Sequence, residues 1–117
     1  MFRALLAERG TEAVGLALYF QEFSTWHCRA GVYVQDLFVA PGERGGGIGR
    51  RLLASAIADA ADRWDASYLR LAVHVMNHDA RDFYHALGFI ADTDNQVMKL
   101  AGDAFASVAS SDRDHSL

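Results

Sequence analysis

The sequence predicts a single α/β (α+β) domain built on a mixed, mostly antiparallel sheet. Two apolar stretches separated by a tight turn open the chain. A third strand then runs through a glycine-rich segment into a helix, and a further strand follows that helix. A tight turn joins antiparallel strands, whereas a strand–helix–strand unit makes its two strands parallel and near neighbours. With 117 residues, the chain has the length of one small domain.

The first half of the chain has the pattern of three strands. Residues 2–7 and 13–20 are apolar stretches on either side of a turn, which is a hairpin pattern. Residues 21–30 form a polar loop that carries Trp26, and residues 31–39 form the third strand. If that strand alternates without interruption, the side chains on one of its faces are Val32, Val34, Asp36 and Phe38.

Periodicity divides the second half of the chain into helices and short strands. The first helix is apolar at every third or fourth residue, and the strand after it alternates in polarity. Residues 1–100 are expected to form the domain. In order, the patterns predict a helix over 48–63, a strand over 68–76, a helix from Asn77 or His78 to Leu87, strands over 89–90 and 96–100, and a loose tail over 101–117.

Composition excludes several classes of protein. The net charge of −4 gives no basic surface for nucleic acid. Apolar runs are too short to span a bilayer. A single cysteine, Cys28, cannot form an internal disulfide and suits a reducing cytoplasm. His74, His78 and His85 lack the spacing of metal ligands. We expect a cytoplasmic protein with no metal, no nucleic-acid partner and no membrane partner.

The glycine-rich segment before the first helix has the properties of an anion site. Glycine lets the backbone approach a ligand closely, and a helix start offers unpaired N–H groups at the positive end of its dipole. Together these features bind phosphate or pyrophosphate, and Arg44 and Arg50 could add charge-assisted contacts. The segment lacks the lysine of a Walker loop and the third glycine of a dinucleotide fingerprint. The alternative is a tight turn whose glycines serve packing.

Two segments of the chain resemble the GNAT superfamily of N-acetyltransferases. The first matches the pattern [RQ]-x-x-G-x-[GA] at residues 44–49, and the second runs from Asn77 through Ala80 and Tyr84 to Phe89. The resemblance implies the GNAT fold, with a central parallel strand pair splayed around acetyl-CoA, the cosubstrate. It also implies that the pyrophosphate is bound by Arg44, Gly45, Gly46, Gly47, Ile48, Gly49 and Arg50.

The resemblance extends to the rest of the cosubstrate. It implies that Asn77 contacts the pantetheine arm or the phosphates on the adenine side, and that Ala80 lies on the same helix face. Backbone N–H groups near Leu37, Phe38 and Val39, where the strand splays from its neighbour, would bind the thioester carbonyl and stabilise the oxyanion.

Two residues are expected to carry the chemistry. The resemblance places Tyr84 beside the sulfur of CoA. A phenol with a reference pKa of about 10 is protonated at neutral pH and can protonate the departing thiolate. Asp36 is the best candidate for the base that receives the amine proton, provided that a bulge changes its face of the strand. The alternative for Tyr84 is an aromatic residue that only packs the helix against the sheet. The alternative for Asp36 is a structural hydrogen-bond acceptor.

Over residues 14–100 the chain looks most like the diamine branch of this superfamily, the spermidine/spermine acetyltransferases. It departs from that branch where the branch has acidic or aromatic residues, at Gln35, Val75, Met76 and Asn95. Because such residues hold a polycation through ion pairs and cation–π contacts, we expect an amine that is smaller or less charged than a polyamine. The chain also starts at the second strand of the family fold, so it is N-terminally truncated relative to that fold.

The predicted function is direct transfer of an acetyl group from acetyl-CoA to a primary amine of a small molecule, in a ternary complex. The alternatives are a non-catalytic CoA-binding or dimerisation module and an enzyme that acetylates a protein N-terminus or lysine. Apolar strands near the start of the chain favour a homodimer.

Overall fold

The computed structural model describes residues 2–24 and 28–111, and Trp26 lies outside the described residues. Residues 1–77 and 78–117 form two compact units. Within the described residues, the first unit comprises β1 (Phe2–Arg9), β2 (Glu12–Ser24), β3 (Arg29–Val39), a 3-10 turn (Pro41–Glu43), α1 (Ile48–Trp64) and β4 (Leu69–Leu71). The second unit comprises α2 (His78–Ala86) and α3 (Gly102–Ser111).

The four strands form one sheet in the order β1-β2-β3-β4. β1 pairs antiparallel with β2, and β2 pairs antiparallel with β3. β4 pairs parallel with β3, where Val32 lies opposite Leu69 and Val34 opposite Leu71. The predicted mixed, mostly antiparallel sheet is therefore confirmed, as is the parallel pair on either side of α1. The parallel strands β3 and β4 lie at one edge of the sheet.

Helix α1 covers one face of the sheet, which we call the helix face. Val32 and Val34 of β3 and Ala17 and Tyr19 of β2 lie on this face and are buried. The helix residues buried against them are Ile48, Leu52, Leu53, Ala56 and Ala60. These positions belong to the predicted apolar stripe, and burying them supplies the hydrophobic core of the first unit. Ile57, which was expected on the same stripe, is 48% exposed.

The opposite face of the sheet, which we call the open face, remains apolar and exposed. Phe2 and Leu6 of β1 are each 61% exposed, and Phe38 of β3 is 48% exposed. Strand pairing aligns Leu6 with Leu16, and Leu16 with Phe38, so the three strands share one continuous row of apolar side chains on this face.

A carboxylate on α1 ties the helix to the sheet. The hydroxyl of Tyr19 and the Nε of Arg3 each donate to Asp59 Oδ2 over 2.6 Å, and the Nε of Arg63 donates to Oδ1 over 2.7 Å. These hydrogen bonds, led by that from Tyr19, lower the pKa of Asp59 against the opposing effect of desolvation. The sequence alone shows that Asp59 and Arg63 are four residues apart and can pair on a helix. The hydrogen bonds from Arg3 and Tyr19 depend on the fold.

Several predicted elements differ in the structure. The loop predicted over 21–30 is much shorter, because β2 continues to Ser24 and β3 begins at Arg29. The strand predicted over 68–76 is reduced to Leu69–Leu71. Its alternating pattern continues past the last residues that pair with β3, and a strand needs a paired neighbour for its backbone.

Two predictions about the C-terminal part of the chain were wrong. Residues 89–90 and 96–100 form no strand in the structure. A helix, Gly102–Ser111, lies where no regular structure was expected. Its alanines are good helix formers and its serines tolerable ones, but such small side chains give little periodic signal, and only Phe105 and Val108 mark one face. Among the described residues, no helix is both long enough and apolar enough to cross a bilayer.

Candidate functional site

The glycine loop joins the end of β3 to α1 through two residues in the left-handed region. Gly45 has φ 86° and Gly47 has φ 85°. The turn requires this conformation at both positions, and L-residues with a side chain adopt it only at a cost. Gly47 is also the N-cap residue of α1, and Ile48, the first helical residue, is buried. The sequence therefore needs glycine at 45 and 47 to make the turn and still seat the helix on the sheet.

Packing does not explain the glycines of this loop. Within the described part of the chain, a Cβ built on Gly45 or Gly47 meets no atom within 4 Å, and one built on Gly46 meets only the carbonyl oxygen of Glu43 at 3.8 Å. Gly15 on β2 provides the contrast, because a Cβ there would lie 3.0 Å from Leu52 Cδ1. The outer surface of the loop backbone is thus open to a ligand, which argues against the packing alternative.

The first turn of α1 is built to receive an anion. Its N-cap residue, Gly47, provides no side-chain hydrogen bond, and the first turn holds no acidic residue. The first N–H groups of a helix lack intrahelical acceptors and carry the positive end of its dipole. Arg50 lies in this turn and is exposed. The arrangement suits a phosphate or pyrophosphate group.

Two arginines hold the chain on the strand side of the loop. The Nε of Arg44 donates to the carbonyl oxygen of Val39 over 3.0 Å, which anchors the start of the loop to the end of β3. Arg9 on β1 binds the carboxylate of Glu43 in the 3-10 turn, with its Nη2 2.8 Å from Oε2. Sequence reasoning missed the Arg9–Glu43 pair because the two residues are far apart in the chain.

A β-bulge interrupts β3 directly before the predicted oxyanion-binding segment. Val34 lies opposite Tyr19, but Asp36 lies opposite Leu18, so Gln35 is an extra residue without a partner position on β2. Gln35 and Asp36 are both exposed. Asp36 therefore lies on the open face, and the expectation that it shares a face with Val34 was wrong.

The amides that follow the bulge divide into two sets. The N–H of Ala40 donates to the carbonyl of Val14 on β2. Because successive residues of a strand point their amides to opposite sides, the amide of Phe38, two residues before Ala40, also faces β2, whereas those of Leu37 and Val39 point away from it. Pairing with β4 ends at Val34, so these two amides face the side where the parallel strands have separated.

The second unit carries the other predicted residues. Ala80 and Tyr84 are four residues apart on α2, hence on one face of that helix. The ring of Tyr84 packs 5.3 Å from that of Phe83 and 5.2 Å from that of Phe89, measured between centroids. Gly88 follows the helix with φ 102°, as the predicted stop signal requires. Asn77 is the last residue of the first unit, and its N–H donates to the carbonyl of His74.

The structure thus brings Asp36, Leu37 and Val39 and the loop over 44–50 together in the first unit, and Ala80 and Tyr84 on one helix face in the second. Among the described residues, no group of three or more histidine, cysteine or acidic side chains could hold a metal ion.

Comparison with known proteins agrees with the two sequence motifs. A family model described as "Acetyltransferase (GNAT) family" matches residues 2–89. A thialysine N-epsilon-acetyltransferase from Bos taurus is 41% identical over 80 residues, which cover 68% of this chain and 46% of the relative. An L-ornithine N5-acetyltransferase from Arabidopsis thaliana is 27% identical over 94 residues, which cover 80% of this chain and 41% of the relative. The chain thus spans about half the length of such relatives.

Solved structures share the fold. An integron cassette protein from V. cholerae superimposes with a TM-score of 0.82 at 24% sequence identity, over 92% of this chain and 66% of that one. This likeness supports the fold class predicted from the sequence.

Proposed function

Because the chain belongs to the GNAT family of acetyltransferases, we propose that it transfers the acetyl group of acetyl-CoA directly to a primary amine of a small molecule. The observation that carries the proposal is the open glycine loop at the start of α1. Its backbone is held in a glycine-dependent conformation, and among the described residues no atom lies within 4 Å of a Cβ built on Gly45 or Gly47.

In this proposal the loop anchors the pyrophosphate of acetyl-CoA. Backbone N–H groups of Gly45, Gly46, Gly47, Ile48 and Gly49 supply hydrogen bonds, and Arg50 supplies charge. Arg44 contributes by fixing the loop to the end of β3 and by its positive charge. Anchoring the phosphates restrains the acetyl group near its acceptor, which lowers the entropic cost of the reaction.

The thioester carbonyl is proposed to bind the amides of Leu37 and Val39, which face away from β2. The amide of Phe38 is directed at β2, so Phe38 does not donate to the carbonyl. It lies between the two residues that do. Asn77 and Ala80 are proposed to contact the pantetheine arm, on the strength of the family motif. Two amides that point at the developing oxyanion stabilise charge that exists only in the transition state.

The reaction needs one proton acceptor and one proton donor. An alkylammonium with a pKa of about 10.4 costs roughly 4 to 5 kcal/mol to deprotonate at pH 7 without help. Asp36 is proposed to assist this step, directly or through water, from the open face where its carboxylate is exposed. The nitrogen attacks the thioester carbon, and the tetrahedral intermediate loses its second nitrogen-bound proton to water as it expels the thiolate of CoA. The hydroxyl of Tyr84 is proposed to protonate that thiolate and then to regain a proton from water.

The acceptor is proposed to be the side-chain amine of an amino acid or a compound of similar size. Two relatives are named for such amines, the ε-amine of thialysine and the N5 amine of ornithine. Gln35, Val75 and Met76 are uncharged at positions where the diamine branch carries acidic or aromatic groups, which fits an acceptor with fewer positive charges than a polyamine.

We also propose that the protein acts in the cytoplasm as a homodimer. Its lone cysteine, Cys28, is exposed and cannot form a disulfide within the chain, which suits a reducing compartment. The open face, on which Phe2, Leu6 and Phe38 are exposed, offers an apolar surface that a second subunit could cover. Sedimentation equilibrium measures the subunit number directly, and a monomer across the micromolar range would exclude the dimer.

Calorimetric titration with acetyl-CoA and with CoA tests the cosubstrate assignment. Binding of both is expected, and no binding at high micromolar ligand would refute the loop assignment. An amine panel monitored by thiol release then tests turnover. Binding without turnover on any amine would favour the non-catalytic CoA-binding module.

Replacing the tyrosine on α2 tests the proposed acid. Tyr84→Phe removes one hydroxyl and keeps the ring contacts with Phe83 and Phe89. We expect kcat to fall about 10²-fold or more, while the dissociation constant for acetyl-CoA stays near that of the wild type. A variant with unchanged kcat and altered stability would assign Tyr84 to packing alone.

A further inference from the structure

A cluster of charged and aromatic side chains crosses the sheet at the start of the parallel pair. Glu22 on β2 lies opposite Gly31 on β3, and Arg70 on β4 lies next to Tyr33 on the same face. Gly31 has no side chain, so groups on β2 and β4 can meet above β3. A Cβ built on Gly31 would overlap the ring of Tyr68, which occupies the space that the glycine leaves.

Glu22 and Arg70 form a two-pronged ion pair across the middle strand. The Nε of Arg70 donates to Glu22 Oε2 over 2.9 Å, and its Nη2 donates to Oε1 over 2.8 Å. This fork matches the planar geometry of guanidinium and carboxylate, which makes it stronger and more directional than an ordinary surface pair. We call this pair the cross-strand fork.

Aromatic rings support the cross-strand fork on both sides. The Arg70 guanidinium lies 5.8 Å from the centroid of the Tyr33 ring, and that of Arg29 lies 5.2 Å from the centroid of the Tyr68 ring. The hydrogen bond from Arg70 lowers the pKa of Glu22, with a smaller contribution from Tyr68, against desolvation that raises it. Glu22 is therefore held as a carboxylate in a partly buried contact.

The position of this fork along the sheet matters more than its strength. β4 has three residues, Leu69–Leu71, and Arg70 is the middle one. After Leu71 the chain leaves the sheet, while β3 continues to Val39. The fork therefore binds β4 at Arg70, one residue before Leu71, the last residue that pairs with β3. Backbone pairing alone holds this strand only weakly because it is so short.

We propose that the cross-strand fork of Glu22 and Arg70 fixes the point at which β3 and β4 separate, and thereby positions the gap that receives the thioester arm of acetyl-CoA. The inference rests on the proposed function. Glu22 and Arg70 are positioning residues: they act through β4 and do not touch the cosubstrate.

The test replaces the charge and keeps the shape. In Glu22→Gln we expect the dissociation constant for acetyl-CoA to rise about tenfold at a temperature where the variant is fully folded. Arg70→Glu combined with Glu22→Arg should recover most of that loss, since the reversed pair restores the bridge. Arg63→Gln is the matched control: it breaks a surface ion pair with Asp59 at the end of α1 and should leave the dissociation constant unchanged.

Hydrogen exchange distinguishes positioning from general loss of stability. In Glu22→Gln, amides of residues 69–71 should exchange faster, while those of α1 keep their wild-type protection. If the variant does not fold, Glu22→Asp takes its place in both measurements. A folded variant that binds acetyl-CoA like the wild type overturns the inference, even if exchange at β4 increases. Absence of binding by the wild type overturns the proposed function, and this inference with it.

Discussion

Replacing Gly46 by alanine separates a ligand-binding role of the glycine loop from a packing role. Gly46 has no positive φ, unlike its neighbours Gly45 and Gly47, so alanine can adopt its backbone conformation. A Cβ there lies 3.8 Å from the nearest atom, the carbonyl oxygen of Glu43, which is ordinary van der Waals contact. The unliganded variant should therefore be as stable as the wild type, or more stable by about 0.4–1 kcal/mol, because alanine restricts the unfolded chain.

Binding of acetyl-CoA should respond in the opposite sense. The added methyl group projects into the open space above the loop, where a phosphate oxygen would have to approach the backbone N–H groups. Displacing the phosphate from one such donor forfeits a hydrogen bond to a charged group, worth about 1.5–3 kcal/mol. At about 1.4 kcal/mol per tenfold, the dissociation constant should rise roughly 10- to 100-fold. Calorimetric titration measures the affinity, and urea unfolding measures the stability.

Gly42 supplies the matched control. It lies in the 3-10 turn before the loop, has no positive φ, and a Cβ built on it meets no atom within 4 Å. Gly42→Ala should change stability in the same sense and by a similar amount as Gly46→Ala, but it should leave the affinity for acetyl-CoA near its wild-type value. If Gly46→Ala binds acetyl-CoA as tightly as the wild type does, the loop does not contact the cosubstrate as proposed, and its glycines serve the turn alone.

Two further predictions concern the sheet and the helix that support the site. Gly31→Ala should lower the free energy of unfolding by about 1–3 kcal/mol, because the ring of Tyr68 occupies the space of the new methyl group; urea unfolding measures this, and an unchanged midpoint would contradict it. The pKa of Asp59 is lowered from 3.8, so its stabilising effect is fully present above that pH and is lost as the pH falls through the lowered value. Asp59→Asn should therefore lower the melting temperature at pH 7 and flatten its decline below about pH 4, whereas parallel melting curves for variant and wild type would exclude this role.

The fold could be predicted from the sequence where short-range patterns determine it. The apolar stripe of α1 and the glycines before it are local signals, and the structure reproduces both within a residue or two. The parallel relation of β3 and β4 followed from the helix between them. In each case, neighbouring residues carry the information.

The rest depended on contacts between distant residues. The length of β4 is limited by where β3 stops pairing with it, which its own alternating sequence does not reveal. The cross-strand fork needs Glu22, Gly31 and Arg70, which come from three different strands. The sequence pattern predicts a loop over 21–30, which includes Glu22, and therefore does not indicate that this residue faces Arg70 across a sheet.

The bulge at Gln35 links the two chemical requirements of the proposed reaction. In an unbroken strand, residues two apart share a face, so Asp36 would lie with Val34 on the helix face, beneath α1. The amides of Asp36 and Phe38 would then face β4. One extra residue reverses both relations, since it moves the carboxylate to the open face and turns the amides of Leu37 and Val39 towards the gap. A single irregularity in β3 therefore places a candidate base and two candidate oxyanion donors at the same end of the strand. A bulge depends on the register between strands, which the pattern of β3 alone does not determine. From the sequence, Asp36 could therefore be assigned as the base only on the condition that a bulge is present.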